Sequence, residues 1–402
     1  MKFISKMITA AGLAAALVSC KDNAADFKYL VDEFADLKIM RYQVPGWDGL
    51  TLQQKEYVYH LAEAAKYGRD IIWMQNCKDN LAVRKVVENI IANYKGDKEC
   101  ADYKAFEVYA KRLFFSNGIH HHYAEDKFFP ECSQEYFASL MTAVGNEAEI
   151  ETLIPVIFDP AIYSARKVMD GNDIVAESAV NFYEGVTRAE VEALYASMVD
   201  PNDKTPISYG LNSRVVKGAD GVVREDVYKV GGLYGPALEK IIAELEKAAV
   251  VAENETQREY TAKLIEYYRT GDLRLWDEYN VQWVKDTLGT IDFVNGFVED
   301  YNDPLGRKAT WEGLVNFKDA EASKRTELIS DNAQWFEDNS PVDARFKKAE
   351  VKGVTAKVIN VAVLAGDCYP AAPIGINLPN ADWIRREHGS KSVTIANLTA
   401  AY

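Results

Sequence analysis

Cysteine is scarce in this chain of 402 residues: five in all, with no C-x-x-C pair and no histidine at zinc-ligand spacing from any of them. That excludes a disulfide scaffold and a cysteine-based zinc module. Cys77, Cys100, Cys132 and Cys368 read as small buried hydrophobes, with one or two disulfides left open in an exported protein. Basic residues are outnumbered, 46 Lys and Arg against 61 Asp and Glu, and the net charge of −15 repels phosphate backbones. Nucleic acid is therefore not an expected partner. There is no P-loop, no G-x-S-x-G elbow, no H-E-x-x-H pair and no convincing G-x-G-x-x-G, so the commonest local signatures of phosphate, serine and helical zinc chemistry are missing. Collagen-like, disordered and multi-span membrane chains are also excluded, because 48% hydrophobic residues with 24 Gly and 12 Pro is an ordinary globular composition. The length gives a prior of two to three domains.

The first residues stand apart. Lys2 and Lys6 precede an apolar stretch, Met7 to Val18, too short to span a bilayer and laid out like a signal-peptide core. Leu17-Val18-Ser19-Cys20 resembles the bacterial lipobox, in which the cysteine is lipidated and becomes the first residue after cleavage. The expectation is a lipoprotein signal peptide over 1–19, lipidation at Cys20, and a polar tether over 20–25 that leaves the protein held to a membrane by acyl chains. The competing reading is an unlipidated signal peptide with a chance cysteine.

Helical periodicity dominates the chain beyond this segment. Thr51 and Gln54 form a capping-box pair ahead of Tyr57, Leu61 and Ala64, which predicts a helix over 52–67. Similar spacing predicts helices over 83–94, 103–115 and 135–144, then from Pro236 to about Ala252, over 255–268 and over 275–287. The tail changes character. Residues 357–364 are β-branched and apolar, suiting a buried strand, and 373–380 carry strand residues between two prolines. A strand bounded by prolines belongs at a sheet edge, where it is either an ordinary edge or a ledge onto which an extended peptide adds.

Two clusters invite chemistry. His120-His121-His122 cannot close on one metal from a helix, and on an extended segment only His120 and His122 share a side, so structural or hydrogen-bonding rings compete with a metal site. Asp292 and Glu299 lie seven residues apart, two turns of a helix, and would project from one face as a pair for acid–base work or for an ammonium, or else belong to a solvated acidic face.

Three blocks then add up to a resemblance. Tyr103 to Ala110 with Asn117-Gly118 and Glu125-Asp126-Lys127-Phe128-Phe129-Pro130, Gly296-Phe297-Val298-Glu299-Asp300-Tyr301-Asn302-Asp303-Pro304-Leu305-Gly306, and Gly375-Ile376-Asn377-Leu378-Pro379-Asn380 resemble, in order, three blocks of the dipeptidyl peptidase III family. Glu125 stands where the first pattern usually has Asp. The resemblance covers nearly everything from about residue 36 to Tyr402.

Members of that family are zinc exopeptidases that remove dipeptides from the N-terminus of short peptides held between two lobes. The resemblance implies an α+β fold, mainly helical with a small β-barrel or mixed sheet. It places 26–305 and 346–402 in the lower lobe and 306–345 in a partial helical upper lobe, most of which is missing. It further implies that Gly375, Asn377 and Asn380 belong to the peptide-binding edge strand, and that Asp292 stands where some relatives have a Glu for the substrate's ammonium. Val294 replaces a nearby family Tyr. The family's H-E-x-x-G-H motif, its later Glu ligand and its transition-state His all come after the G-I-N-L-P-N strand, and residues 1–402 contain none of them. Zinc belongs to the full-length family; for this chain no metal ligand, no cofactor and no catalytic residue is expected. Two expectations result. The chain is the N-terminal part of such an exopeptidase, inactive alone; the alternative is a non-catalytic peptide-binding lipoprotein. Either way the expected partners are short peptides and a membrane, reached by export.

Overall fold

A computed structural model describes residues 27–351 and 354–401. The signal segment, the tether and Cys20 lie outside the described residues. Two compact units are present, one ending at Tyr42 and one running from Gln43 to Ala400. The first contains an antiparallel pair, β1 (Leu30–Phe34) and β2 (Leu37–Met40), with the Arg41 guanidinium 4.3 Å from the centre of the Phe27 ring.

The large unit opens with helices. The helix α1 (Leu52–Tyr67) begins at the expected cap: Thr51 Oγ1 accepts from Gln54 N at 3.2 Å, and Gln54 Oε1 accepts from Thr51 N at 2.9 Å. It buries the predicted stripe of Tyr57, Leu61 and Ala64. After α2 (Arg69–Asn76) come α3 (Asn80–Asn93), α4 (Ala101–Phe115), α5 (Gln134–Ala143) and α6 (Ile150–Phe158). Val87, Ile90, Phe106, Tyr109, Phe137 and Ile157 pack these helices into one buried cluster. The burial of such large side chains, each worth about 1.5–3 kcal/mol, is what fixes a helical N-terminal part.

Next are α7 (Ile174–Glu177), the strand β3 (Tyr183–Glu184), α8 (Arg188–Ala196) and a hairpin of β4 (Ser213–Lys217) and β5 (Val223–Val227); β3, β4 and β5 form a small mixed sheet in that order. The helices α9 (Gly235–Val250), α10 (Glu255–Thr270) and α11 (Leu273–Lys285) stand where the periodicity puts them, with Pro236 in the first turn of α9 and Asp272 Oδ1 accepting from Arg274 N at the start of α11.

The rest builds a five-stranded sheet. Its strands are β6 (Ile291–Glu299), β7 (Thr310–Lys318), β8 (Val354–Gly366), β9 (Gly375–Leu378) and β10 (Ser390–Ile395), arranged β6-β7-β8-β10-β9, with β8 and β10 parallel and every other pair antiparallel. The helices α12 (Ala320–Asp331) and α13 (Ala333–Asn339) fill the connection from β7 to β8; α14 (Asp382–Glu387) joins β9 to β10, and α15 (Ala396–Thr399) comes last.

Three expectations change. The sheets are open, with no closed barrel among the described residues, because β9 and β6 each keep one edge without a strand partner. Within 306–345 only the later part is helical: Thr310–Lys318 is a strand, since Trp311, Leu314, Val315 and Phe317 bury both of its faces between β6 and β8. Asp292 and Glu299 sit on a strand, not a helix, so seven residues separate them by roughly 20 Å along β6 rather than by two turns.

Candidate functional site

The Pro-flanked segment is a sheet edge, as its composition demands. Lys391, Ser392, Val393 and Thr394 of β10 pair with Leu378, Asn377, Ile376 and Gly375 of β9, and the opposite edge of β9 has no strand partner among the described residues. Gly375 is needed for that pairing, because a Cβ there would stand 2.7 Å from the Val393 carbonyl oxygen. Gly375, Asn377 and Asn380 are all exposed. An exposed edge with backbone donors and acceptors facing outward is the surface that accepts an added strand.

The end of this edge reaches β6. Asn380 Nδ2 donates to Glu299 Oε2 at 3.0 Å and to the Val298 carbonyl at 3.3 Å. A register shift between Phe297 and Glu299 inserts one extra residue, so that Gly296 faces Glu312, Phe297 faces Trp311 and Glu299 faces Thr310. Side chains directly opposite share a face, and Thr310 and Glu312 share one by alternation. The bulge therefore turns Glu299 onto the face of Glu312.

A third acid completes the group. Asp367 comes just after β8, and its Oδ2 accepts from Asn302 Nδ2 at 2.9 Å and lies 2.8 Å from Thr310 Oγ1. Burial, then the charges of Asp367 and Glu299, push the Glu312 carboxyl well above the usual carboxylate range; burial raises Glu299 as well, against a lowering hydrogen bond from Asn380. The neighbouring Cys368 thiol is raised by burial first and then by the Glu312 charge. Acids gathered in this way are stabilised by a cation delivered to them. Beside them, Tyr301 is exposed, and its carbonyl accepts from Lys167 Nζ at 2.6 Å.

Asp292 lies elsewhere and is already engaged. Its Oδ2 accepts from Lys391 Nζ at 2.8 Å, its Oδ1 from Trp283 Nε1 at 2.8 Å, and Lys391 is almost completely buried. The carboxylate beside Asn380 is Glu299, not Asp292. Glu299 was visible in the sequence as half of an acidic pair. Glu312 and Asp367 were missed, although one acid inside the apolar run Thr310 to Phe317 is a legible signal, since a half-buried carboxylate in an otherwise buried strand requires a reason.

The histidine run has no ligand geometry. His120 is buried, and its Nε2–H donates to the Tyr163 carbonyl at 2.8 Å; His121 Nδ1 accepts from the backbone N–H groups of Tyr123 and Ala124 at 3.1 and 2.9 Å; the His122 ring packs edge-on against Phe115. The D-x-K-F-x-P-like block is scaffolding: Lys127 Nζ donates to the Asp159 and Ile162 carbonyls at 2.6 and 2.9 Å and ties two loops together. Among the described residues no group of three or more His, Cys, Asp or Glu is placed to hold a metal ion. The histidine run and its neighbours do not fit a zinc site.

The model of peptidase family M49 matches residues 164–402. Dipeptidyl peptidase 3 of Dictyostelium discoideum is 26% identical over 382 residues, covering 88% of this chain and 53% of the relative; the Homo sapiens protein is 23% identical over 400 residues, covering 87% and 53%. The solved dipeptidyl-peptidase III from Corallococcus sp. strain EGB has the same fold over 91% of this chain and 57% of its own, with a TM-score of 0.66 at 18% identity. The chain thus spans about half the length of the curated relatives it matches.

Proposed function

The chain belongs to peptidase family M49, and from that membership we propose that it supplies the peptide-docking part of a zinc-dependent exopeptidase that removes dipeptides from the N-terminus of short peptides. The carrying observation is the open edge of β9 with Asn380 bonded to Glu299 at its end. A peptide laid along that edge gains main-chain hydrogen bonds from β9. Its N-terminal ammonium reaches Glu299, where it also relieves the repulsion among Glu299, Glu312 and Asp367. Asn377 and Asn380 flank the bound chain, and Gly375 lets it approach the edge. In this reading Asp292 positions Lys391 instead of touching substrate.

The 402 residues alone are proposed not to hydrolyse peptides, because the family's H-E-x-x-G-H ligands and base are not among them. Export and lipidation at Cys20 are proposed from the signal layout, and a Cys20→Ser variant that still incorporates labelled palmitate would refute that part.

Isothermal titration of the whole chain with a tetrapeptide and with its N-acetylated form tests the docking claim. The free amine should bind at least about tenfold tighter, the worth of one charge-assisted contact. Equal affinity for both forms, or no binding, overturns it; release of dipeptide by the purified chain overturns the claim of inactivity.

A further inference from the structure

Glu312 stands where like charges meet. The bulge after Phe297 puts Glu299 on its face, Gly366 lies opposite it on β8, and the Asp367 N–H donates to the Trp311 carbonyl at 3.0 Å, so the acids come together from β6, β7 and the end of β8. They are not equally supplied with donors. Glu299 accepts from Asn380 Nδ2 at 3.0 Å, and Asp367 Oδ2 takes Asn302 Nδ2 and Thr310 Oγ1. What faces Glu312 is the Cys368 thiol, a weak donor.

Among the described residues no Lys, Arg or His forms an ion pair with any of the three acids. Asp300 brings a further negative charge to Glu299 from the connection between β6 and β7, and Tyr301 brings a phenol. Lys167 approaches by way of Tyr301, but its Nζ is taken by the Tyr301 carbonyl at 2.6 Å and by Glu125 at 3.7 Å. Carboxyl groups crowded without a cation do not all ionise, and the one without a strong donor keeps its proton. Burial and the charges of Asp367 and Glu299 single out Glu312. An ammonium that reaches Glu299 supplies the missing positive charge, which favours the ionised form of every acid beside it.

We propose that docking at this corner is coupled to the release of a proton: Glu312 is a neutral acid while the edge of β9 is empty and becomes a carboxylate when the N-terminal ammonium of a peptide reaches Glu299. The proposal rests on the β9 reading and adds regulation to it. Protons and the ammonium compete for the corner, so affinity rises with pH across the range in which Glu312 ionises. It falls again only where the peptide amine loses its own charge, near about 8.

Calorimetric titration of the full chain with a free-amine tetrapeptide at pH 6 and 7, in paired buffers of low and high ionisation enthalpy, counts the protons. Between about half a proton and one should leave per peptide bound, and affinity should rise about three- to tenfold from the lower pH to the higher, since that slope is the number of protons released. Glu312→Gln, which copies the neutral acid in shape, should release no proton and bind no better at pH 7 than at pH 6. Asp367→Asn removes a negative neighbour without altering β7, and it should lower the number of protons released. Release of less than about half a proton by the unaltered chain at both pH values, or an undiminished release from both variants, overturns the coupling and leaves the β9 reading standing. Failure of the free-amine peptide to bind at either pH removes the β9 reading and this proposal with it.

Discussion

Asn380 Nδ2 and Glu299 Oε2 are 3.0 Å apart although 81 residues separate them in the chain, so the end of the edge strand and the end of β6 form one polar corner. Both residues keep contact with solvent. Glu299→Gln and Asn380→Ala are each expected to weaken binding of a free-amine tetrapeptide about tenfold while moving stability by less than about 0.5 kcal/mol, because polar contacts at the surface contribute little to folding. Calorimetry and urea unfolding read the two effects separately. Unchanged affinity in both variants would sink the corner as an ammonium site.

The opposite balance is expected at the other end of β6. Lys391 is buried with its Nζ 2.8 Å from Asp292 and 4.2 Å from the centre of the Trp283 ring, so removing either partner leaves a buried charge without its counterpart. Lys391→Met should cost about 3 kcal/mol in urea unfolding, and the double variant with Asp292→Asn should recover part of it. Peptide affinity of the folded protein should not change. A tenfold loss of affinity in Asp292→Asn would instead return the ammonium role to that residue.

The helices were legible because each signal that makes a helix is local: the cap at Thr51, the apolar stripe of Tyr57, Leu61 and Ala64, the proline at the start of α9. The edge character of β9 was legible for the same reason, through Pro373 and Pro379. The acidic corner was not. A spacing of seven suits a helix, and nothing local announces a bulge at Val298, yet that extra residue decides which face Glu299 joins. Glu312 and Asp367 meet Glu299 only through the pairing of β6, β7 and β8, a relationship between distant segments that residue spacing cannot express.

His120 sets an acid limit on stability. Its ring is 2% exposed and lies near Arg166 and Lys127, and burial first, then those positive charges, hold its pKa down to about 4. The unfolded chain takes up a proton near 6.5 and the folded one does not until about 4, so folding stability is intact above 6.5 and is lost as pH falls toward 4. The loss should reach about 3 kcal/mol at the lower end, by the worth of each unit of difference. Urea unfolding at pH 7, 6 and 5 should show the decline, and His120→Gln should flatten it; an equally steep decline in the variant would place the acid sensitivity elsewhere.

Gly68 joins α1 to α2 with a right-handed helical backbone, φ −75° and ψ −10°, so its conformation is open to any residue. What forbids a side chain is Trp311, whose indole occupies the space a Cβ would fill. Trp311 cannot yield easily: it is completely buried, its backbone N–H donates to Gln75 Oε1 at 2.8 Å, and its Nε1–H donates to the Tyr268 hydroxyl at 3.2 Å. Gly68→Ala should therefore destabilise by about 2 kcal/mol despite the better helix propensity of alanine, as overpacking of a full core does. Gly49→Ala, where nothing lies within 4 Å, should be neutral or gain a few tenths of a kcal/mol. Because Glu312 is the next residue along β7, a displaced Trp311 should also weaken peptide binding in Gly68→Ala and not in Gly49→Ala. If Gly68→Ala leaves both stability and affinity untouched, the helix junction is not what holds β7, and the acidic corner, in place.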